Sequence, residues 1–285
     1  MRLKLVPKNT SWNFFSRSKV WIGLSIILVV LSLISFFVQS LNFGIDFRGG
    51  TSIRTESSEP INVAAYRSAL SSLDLGDITI SEVFDPSFEA DQNVAMIRIQ
   101  AQPGQEAATS ILVENSLQNL KGVSEDIKFV SVESVGPKVS GELIKTAIIA
   151  VILAISAVLF YIWIRFEWQF AVGAISALIH DVILTIGIFS LLQIKFDLAI
   201  IAAILTIVGY SLNDTVVVFD RVRENLRKFK KRSLIEVMNL SINETMSRTV
   251  MTSVTTLLAL ISLFVLGGDV IRGFVFAMIW GVVVG

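Results

Sequence analysis

Long apolar runs alternate with short polar stretches along most of the chain. A helix that crosses a membrane needs about 17–25 largely apolar residues, and five runs satisfy this at 20–41, 146–164, 168–192, 198–219 and 250–266. A sixth run begins at Ile271, but only 15 residues remain before the chain stops at Gly285. The pattern predicts an α-helical polytopic membrane protein with six spans. We expect the sixth span to be truncated, with sequence missing beyond Gly285.

Residues 42–144 form a long insert between the first two runs, and their pattern is that of a water-soluble α+β domain. Short alternating stretches predict strands at 51–56, 78–84, 93–100 and 127–135, with a turn at 85–87. Apolar positions at helical spacing predict helices at 62–73, where Pro60 is placed to start the helix, and at 106–120. The order β-α-β-β-α-β is typical of a ferredoxin-like fold, which hosts many functions and assigns none by itself.

Composition agrees with a membrane protein, and the distribution of Lys and Arg orients it. Hydrophobic residues make up 53% of the chain, charged residues 17%, and the mean hydropathy is +0.70. Residues 1–19 hold five basic and no acidic side chains, and the connection 220–248 holds eight basic and four acidic ones. Both segments should be cytoplasmic. The insert holds 15 acidic and 7 basic residues, so we expect it on the opposite side, with spans two to six in 145–285.

The most informative polar residue is Asp214, which lies inside the fourth apolar run. A carboxylate in hydrocarbon costs about 2.5–3.5 kcal/mol on insertion scales, so such a residue is a functional hypothesis by default. A membrane protein that keeps an acid there is a candidate for moving protons or ions. Alternatively, Asp214 lies near the helix end and reaches the interface, since Asp220 and Arg221 soon follow.

Polar residues on the third and fifth spans are further candidates. Arg248 and Thr252 share a helical stripe with further hydroxyls, which suggests a wet cavity open to the cytoplasm; alternatively, Arg248 is an interfacial arginine paired with Glu244 at i,i+4. His180 and Asp181 could relay protons, although structural hydrogen bonding to a neighbouring helix is the simpler interpretation. Because adjacent residues on a helix point in different directions, we do not expect these two to pair with one another.

The cytoplasmic connection is amphipathic. The basic cluster 227–232 is typical of a positive-inside anchor, and it could also bind anionic membrane lipid, ribosomal RNA or another subunit. Residues 234–246 place apolar side chains on one face, which predicts a helix lying along the membrane surface.

The residue inventory argues against an enzyme. The chain has no cysteine, so thiol chemistry and disulfides are excluded, and with His180 as its only histidine it forms no histidine-rich metal site. It contains no phosphate-binding glycine loop and no nucleophile with an adjacent base. We therefore expect no enzymatic activity, no cofactor and no metal.

Several segments together carry a specific resemblance that spans nearly the whole chain in order and spacing. They are FGIDFRGG at 43–50, VGPKVS at 135–140, GYSLNDT at 209–215, FDRVREN at 219–225 and NETMSRT at 243–249. The chain resembles the SecD/SecF family of bacterial protein-export subunits, on its SecF side, within the resistance-nodulation-division superfamily. The resemblance implies a six-span half-bundle in the bacterial inner membrane with a periplasmic insert, and SecD as the partner that supplies the other half.

The resemblance also implies a function and site residues. SecD and SecF use the proton-motive force to help pull polypeptides out of the SecYEG channel after the ATP-driven step of SecA. The family links an intramembrane aspartate and the arginine opening the fifth span to proton conduction, and these correspond to Asp214 and Arg248. Asn213, Thr252, His180 and Asp181 are candidate supporting polar residues. The expected partners are SecD, SecYEG, the translocating polypeptide, protons and lipids, without nucleic acid.

Gly49, Gly50, Gly136 and Pro137 bracket the insert where a hinge would be needed, although glycines there could equally serve tight turns. Two other functions stay open. A proton-driven half-exporter of small molecules or lipids would share the intramembrane acid but would need a larger insert with a substrate pocket. A non-conducting scaffold of the translocon would tolerate neutralisation of Asp214.

Overall fold

The computed structural model describes residues 10–73, 75–76, 78–83, 92–100, 106–118 and 127–285. A short 3-10 helix, Phe14–Arg17, leads into the first long helix. The α-helices of these ranges are α1 (Ser18–Gln39), α2 (Ile45–Arg48), α3 (Val63–Ser71), α4 (Glu106–Gln118), α5 (Pro137–Arg165), α6 (Trp168–Leu192), α7 (Leu198–Lys228), α8 (Leu234–Leu266) and α9 (Asp269–Val284). The strands are β1 (Asn42–Phe43), β2 (Gly50–Ser57), β3 (Ile78–Val83), β4 (Asn93–Gln100), β5 (Lys128–Val135) and β6 (Lys195–Phe196).

Five of the helical segments are long and apolar enough to cross a membrane, which makes the chain a helical polytopic membrane protein. They are Phe14–Gln39, Val139–Arg165, Trp168–Leu192, Leu198–Lys228 and Leu234–Leu266; Ile271–Val284 is apolar but shorter. Helices α6, α7 and α9 share a buried apolar core around Phe189, Ile207 and Ala277. Helix α1 packs so closely on α6 at Gly187 that a Cβ atom there would overlap the side chain of Ser32.

The insert is a small antiparallel sheet with two helices packed against it. The strand order is β3-β4-β2-β5, and β2 pairs with β4 along its full length, from Gly50 opposite Gln100 to Ser57 opposite Asn93. Its core side chains are almost completely buried and come from the sheet and both helices, among them Ile53, Tyr66, Leu70, Ile97, Val113 and Leu117. The domain therefore has a hydrophobic core of its own.

The sequence predicted this domain closely, because apolar and polar residues alternate along its strands and apolar residues recur at helical spacing in its helices. The observed order strand, helix, strand, strand, helix, strand is the predicted one, and the predicted strand 93–100 has the bounds of β4. Helix α3 begins at Val63 after Asn62, whose side chain accepts a hydrogen bond from the Ala65 N–H at 3.1 Å, so an asparagine cap rather than Pro60 sets its start. The predicted turn at 85–87 and Leu120 lie outside the described residues.

Tyr66 offers a test of this core. Burial raises the pKa of the Tyr66 phenol above its ordinary value of 10.0, since the phenolate would lose its hydration. The folded domain then holds the proton more tightly than the unfolded chain, so its stability is unaffected below pH 10 and falls as the pH rises beyond it. We expect an ultraviolet difference titration of wild type against Tyr66→Phe to show a phenol that ionises above pH 10. Ionisation of Tyr66 below that pH would contradict this.

Helices α7 and α8 are longer than a membrane requires. Their 31 and 33 residues span about 46 and 50 Å at 1.5 Å per residue, against a hydrocarbon core of about 30 Å. The prediction of a surface helix at 234–246 was wrong in one respect. These residues are helical, but α8 continues from them without a break into the fifth span. The predicted connection 220–248 is therefore mostly the ends of two helices, joined by a turn at residues 229–233.

Candidate functional site

Polar side chains line the interface between the antiparallel helices α7 and α8. The Tyr210 hydroxyl donates to Ser253 Oγ at 3.4 Å. One turn along each helix, the Asp214 carboxyl lies beside Thr249, because residues four apart share a helix face. Further toward the connecting turn, Asn225 Nδ2 donates to Ser241 Oγ at 3.1 Å. The row runs from the middle of α7 to its C-terminal end.

Asp214 is the carboxylate of this row that lies within the apolar part of α7. Its side chain is half-buried, and its Oδ1 atom is fully buried. Neither Asp214 Oδ1 nor the buried Thr249 Oγ1 makes a hydrogen bond in the part of the chain that the structure describes. A buried polar atom without a partner costs free energy, and such atoms in a native protein mark places where protons, water or another group take part.

Arg248 supplies the charge opposite Asp214. It acts on the carboxyl electrostatically from α8, yet no direct ion pair joins the two among the described residues. Arg248 is exposed on α8, and Asn213 is likewise exposed on α7. The structure thus brings Asp214 and Arg248 together across one interface but leaves them separated.

The alternative in which Glu244 pairs with Arg248 is not observed among the described residues. Glu244 Oε2 lies 3.0 Å from Arg221 Nε and accepts a hydrogen bond from Asn225 Nδ2 at 2.8 Å, so it bridges to α7 instead. The physical reason is that α7 places two donors, Arg221 and Asn225, within hydrogen-bond distance of Glu244. Our sequence reasoning assigned no role to Asn225, which is 2% exposed; the signal available was an amide inside the FDRVREN segment.

His180 and Asp181 form a second polar cluster, between α6 and α7. Asp181 is 4% exposed, and its Oδ2 accepts a hydrogen bond from Ser211 on α7 at 2.7 Å. The bond to a neighbouring helix that we expected is present. The expectation that the two residues would not pair was wrong, because His180 Nδ1 lies 2.9 Å from Asp181 Oδ1. Both atoms sit close to their own backbone, so short side chains can turn toward each other despite diverging Cβ directions.

Thr252 is engaged within its own helix. Its hydroxyl donates to the Thr249 carbonyl at 2.8 Å, and Thr255 likewise donates to the Met251 carbonyl at 2.8 Å. These hydroxyls follow the α8 backbone rather than reaching Asp214. The wet cavity that we predicted along this stripe stays a prediction.

The glycines that bracket the insert differ in what they require. Gly49 and Gly50 have φ angles of +72° and +139°, which side chains rarely adopt, so glycine is needed there for the turn from α2 into β2. Gly136 has an ordinary φ of −67° as the N-cap of α5, and Pro137 begins that helix. Hinge motion at these four positions stays a prediction.

Comparison with known proteins identifies the family. The model of the protein export membrane protein SecD/SecF, C-terminal region, matches residues 115–285, and the SecD/SecF GG motif matches residues 34–61. The protein translocase subunit SecF of Cereibacter sphaeroides is 60% identical over 284 residues, which cover 100% of this chain and 88% of that relative. The chain belongs to the SecD/SecF family. The resemblance drawn from its motifs is confirmed.

Two solved SecD/SecF structures show the same fold. The crystal structure of SecDF, a translocon-associated membrane protein from Thermus thermophilus, matches with a TM-score of 0.83 and 32% identity, covering 100% of this chain and 38% of that one. SecDF in its super-membrane-facing form matches with a TM-score of 0.69 and 34% identity, covering 99% and 37%. This chain therefore corresponds to little more than a third of a SecDF chain. The SecD/SecF family consists of export membrane proteins rather than enzymes.

Proposed function

We propose that this chain, a SecF-type subunit of the Sec protein-export machinery, works with SecD to couple proton movement to polypeptide export. The observation that carries the proposal is Asp214, a half-buried carboxyl with an unbonded oxygen in the apolar part of α7, opposite Arg248. Structural carboxylates in proteins are usually paired or fully hydrogen-bonded. One that is neither, inside a membrane helix, is suited to take up and release a proton.

Protonation of Asp214 would change how α7 and α8 attract each other. The ionised carboxyl attracts Arg248, whereas the neutral form does not. The two groups stand apart without a direct ion pair, so a modest movement of α8 would convert one arrangement into the other. A proton crossing about 100 mV releases about 2.3 kcal/mol, which shifts a two-state equilibrium about fiftyfold. One of the matching SecDF structures is named as a super-membrane-facing form, which supports a family with more than one arrangement.

The finer architecture belongs to the same proposal. The order β-α-β-β-α-β with strand order β3-β4-β2-β5 supports a ferredoxin-like domain. With five long helices and the apolar α9, it supports a six-span half-bundle of the resistance-nodulation-division type. We place the N-terminus in the cytoplasm and residues 42–144 in the periplasm of a bacterial inner membrane, because basic residues concentrate in 1–19 and 220–248.

Helix α7 presents a surface that suits another membrane helix better than lipid. Four exposed positions spaced three or four apart carry small or polar side chains: Ala202, Thr206, Gly209 and Asn213. Nothing lies within 4 Å of where a Cβ of Gly209 would stand. Small residues let helix backbones approach closely, and polar ones bond across membrane interfaces. We propose that this α7 stripe is where SecD packs.

Assembly with SecD is therefore testable at the α7 stripe. We expect the wild-type chain to copurify with SecD in mild detergent, and Gly209→Leu to reduce the recovered complex several-fold, because a large side chain would hold the two backbones apart. Gly23→Leu on α1 is a matched control, since Gly23 also has open space around it. Equal loss of complex in both variants, or a fully active monomer, would contradict the placement.

The function itself is tested with vesicles that contain SecYEG, SecA, SecD and this chain. We expect a proton gradient to raise the export rate only when the chain is present, and an ionophore to abolish that increase. If the chain raises export equally with and without a gradient, it is a scaffold. If the gradient drives loss of small molecules or lipids from the vesicles instead, it is a half-exporter.

A further inference from the structure

The segment that leads into the periplasmic domain is tied to the start of α7. Strand β1 pairs in parallel with β6, Asn42 opposite Lys195 and Phe43 opposite Phe196, and the Gly44 N–H donates to the Phe196 carbonyl at 2.8 Å. The approach is close, because a Cβ at Gly44 would lie 2.8 Å from Lys195 Cε. We call the segments 42–48 and 194–198 the joint.

Asp46 makes the joint's bond to α7 itself. Its Oδ2 accepts a hydrogen bond at 3.1 Å from the N–H of Leu198, the first residue of α7. The first N–H groups of a helix have no partner within the helix, and a carboxylate also favours the positive end of the helix dipole. Asp197, the local N-cap, accepts from the Ile200 N–H at 3.3 Å. Helix α7 thus has one cap from its own chain neighbour and a second from the periplasmic segment.

Apolar packing and a third helix hold the joint together. The rings of Phe43, Phe47 and Phe196 lie within 5.7–6.1 Å of one another, centroid to centroid. The hydroxyl of the buried Ser140, on α5, donates to the Ile45 carbonyl at 3.4 Å. The joint therefore meets both chain segments that carry the periplasmic domain.

The joint lies between the sheet of the periplasmic domain and the part of α7 that carries Asp214. In one direction the chain runs from Asp46 through Gly49 and Gly50 into β2, a central strand of the sheet. In the other, α7 runs from Leu198 to Asp214, 16 residues and about 24 Å away. Because an α-helix is stiff along its axis, displacement at Asp214 reaches Leu198 and, through Asp46, the sheet.

We propose that Asp46 is a positioning residue that clamps α7 to the periplasmic domain, so that the two move as one body when Asp214 changes protonation. The clamp stays closed through the cycle. This inference rests on the proposed coupling function and adds the element through which the coupling leaves the membrane.

The first test compares two caps of one helix in the vesicles described above. We expect Asp46→Ala to lower gradient-dependent export about tenfold, within the usual range of coupling between sites, while gradient-driven proton entry, followed with a pH-sensitive dye, continues. Asp197→Ala, which removes only the local cap, should retain gradient-dependent export. Asp46→Asn keeps an acceptor oxygen and should recover most of it. Equal loss from both alanine variants would reduce Asp46 to a helix cap and overturn the proposal.

The second test replaces the clamp with a covalent bond. The natural chain has no cysteine, and facing residues of paired strands stand about 4.8 Å apart, within reach of a disulfide. In an Asp46→Ala background, Asn42→Cys with Lys195→Cys should regain gradient-dependent export on oxidation and lose it again on reduction. Two results would contradict a clamp that stays closed. One is a disulfide that forms in the Asp46→Ala background but fails to restore gradient-dependent export. The other is a disulfide that abolishes this export when Asp46 is present.

Failure of this inference is separable from failure of the proposed function. If Asp214→Asn and Asp46→Ala both leave gradient-dependent export intact, the coupling function is wrong. If Asp214→Asn abolishes it and Asp46→Ala does not, the function stands and the clamp is wrong.

Discussion

Replacing Asp214 by asparagine is expected to abolish the gradient-dependent part of export and leave the protein folded and paired with SecD. The amide is nearly isosteric with the carboxyl, so the packing of α7 on α8 survives, but the side chain no longer titrates. Export with and without a gradient, measured on the same vesicles, should then be equal. Copurification with SecD checks that the complex is intact.

The matched control for this change lies on the same helix. Asp220 pairs with Arg165 at 2.8 Å, and both side chains are 43% exposed. An exposed ion pair contributes only about 0–1 kcal/mol, so Asp220→Asn should leave the gradient effect nearly unchanged. A normal gradient effect in the Asp214 variant would remove that residue from the proton path. Loss in both variants would point to a general need for acidic side chains on α7.

The elements that were predicted well are those determined by local pattern. The length of an apolar run and a period of two along a strand are properties of neighbouring residues, so the long helices and the sheet could be read directly from the sequence. The continuous α7 and α8 were missed although the signal was present. No glycine or proline lies between Gly209 and Gly267, and Ser233 with Glu236 forms the pattern of a helix start. We interpreted the charged residues at 220–248 as a connection between helices, whereas most of them lie at the ends of α7 and α8.

The candidate residues could be named from the sequence, but their partners could not. Asp214 could be proposed because a charge in an apolar helix is exceptional whatever surrounds it, whereas Arg248 was proposed mainly because the family resemblance implied it. A pair between Glu244 and Arg248 could be considered because spacing on one helix is visible in sequence, whereas the bond of Glu244 to Arg221 depends on how α7 and α8 pack. Asp46 was missed as a cap for the same reason, since its partner Leu198 is 152 positions away. Tertiary contacts of this kind have no local pattern.

Lysine at position 248 is expected to lower gradient-dependent export about tenfold, equivalent to about 1.4 kcal/mol, while insertion and pairing with SecD stay normal. If Arg248 only anchors α8 at the membrane–water interface, lysine replaces it freely, because charge and position are both retained. If it acts on Asp214 across the gap, lysine should fail, because the planar guanidinium with its fixed fork of donors differs from a compact, strongly hydrated ammonium.

Arg227→Lys, in the exposed last turn of α7, is the control and should be harmless. Glu244→Gln is not a suitable control, because it would weaken the bridge to Arg221 and Asn225. Near-normal export by Arg248→Lys, beside a defective Asp214→Asn in the same preparation, would make Arg248 an anchor and leave Asp214 to work with another cation.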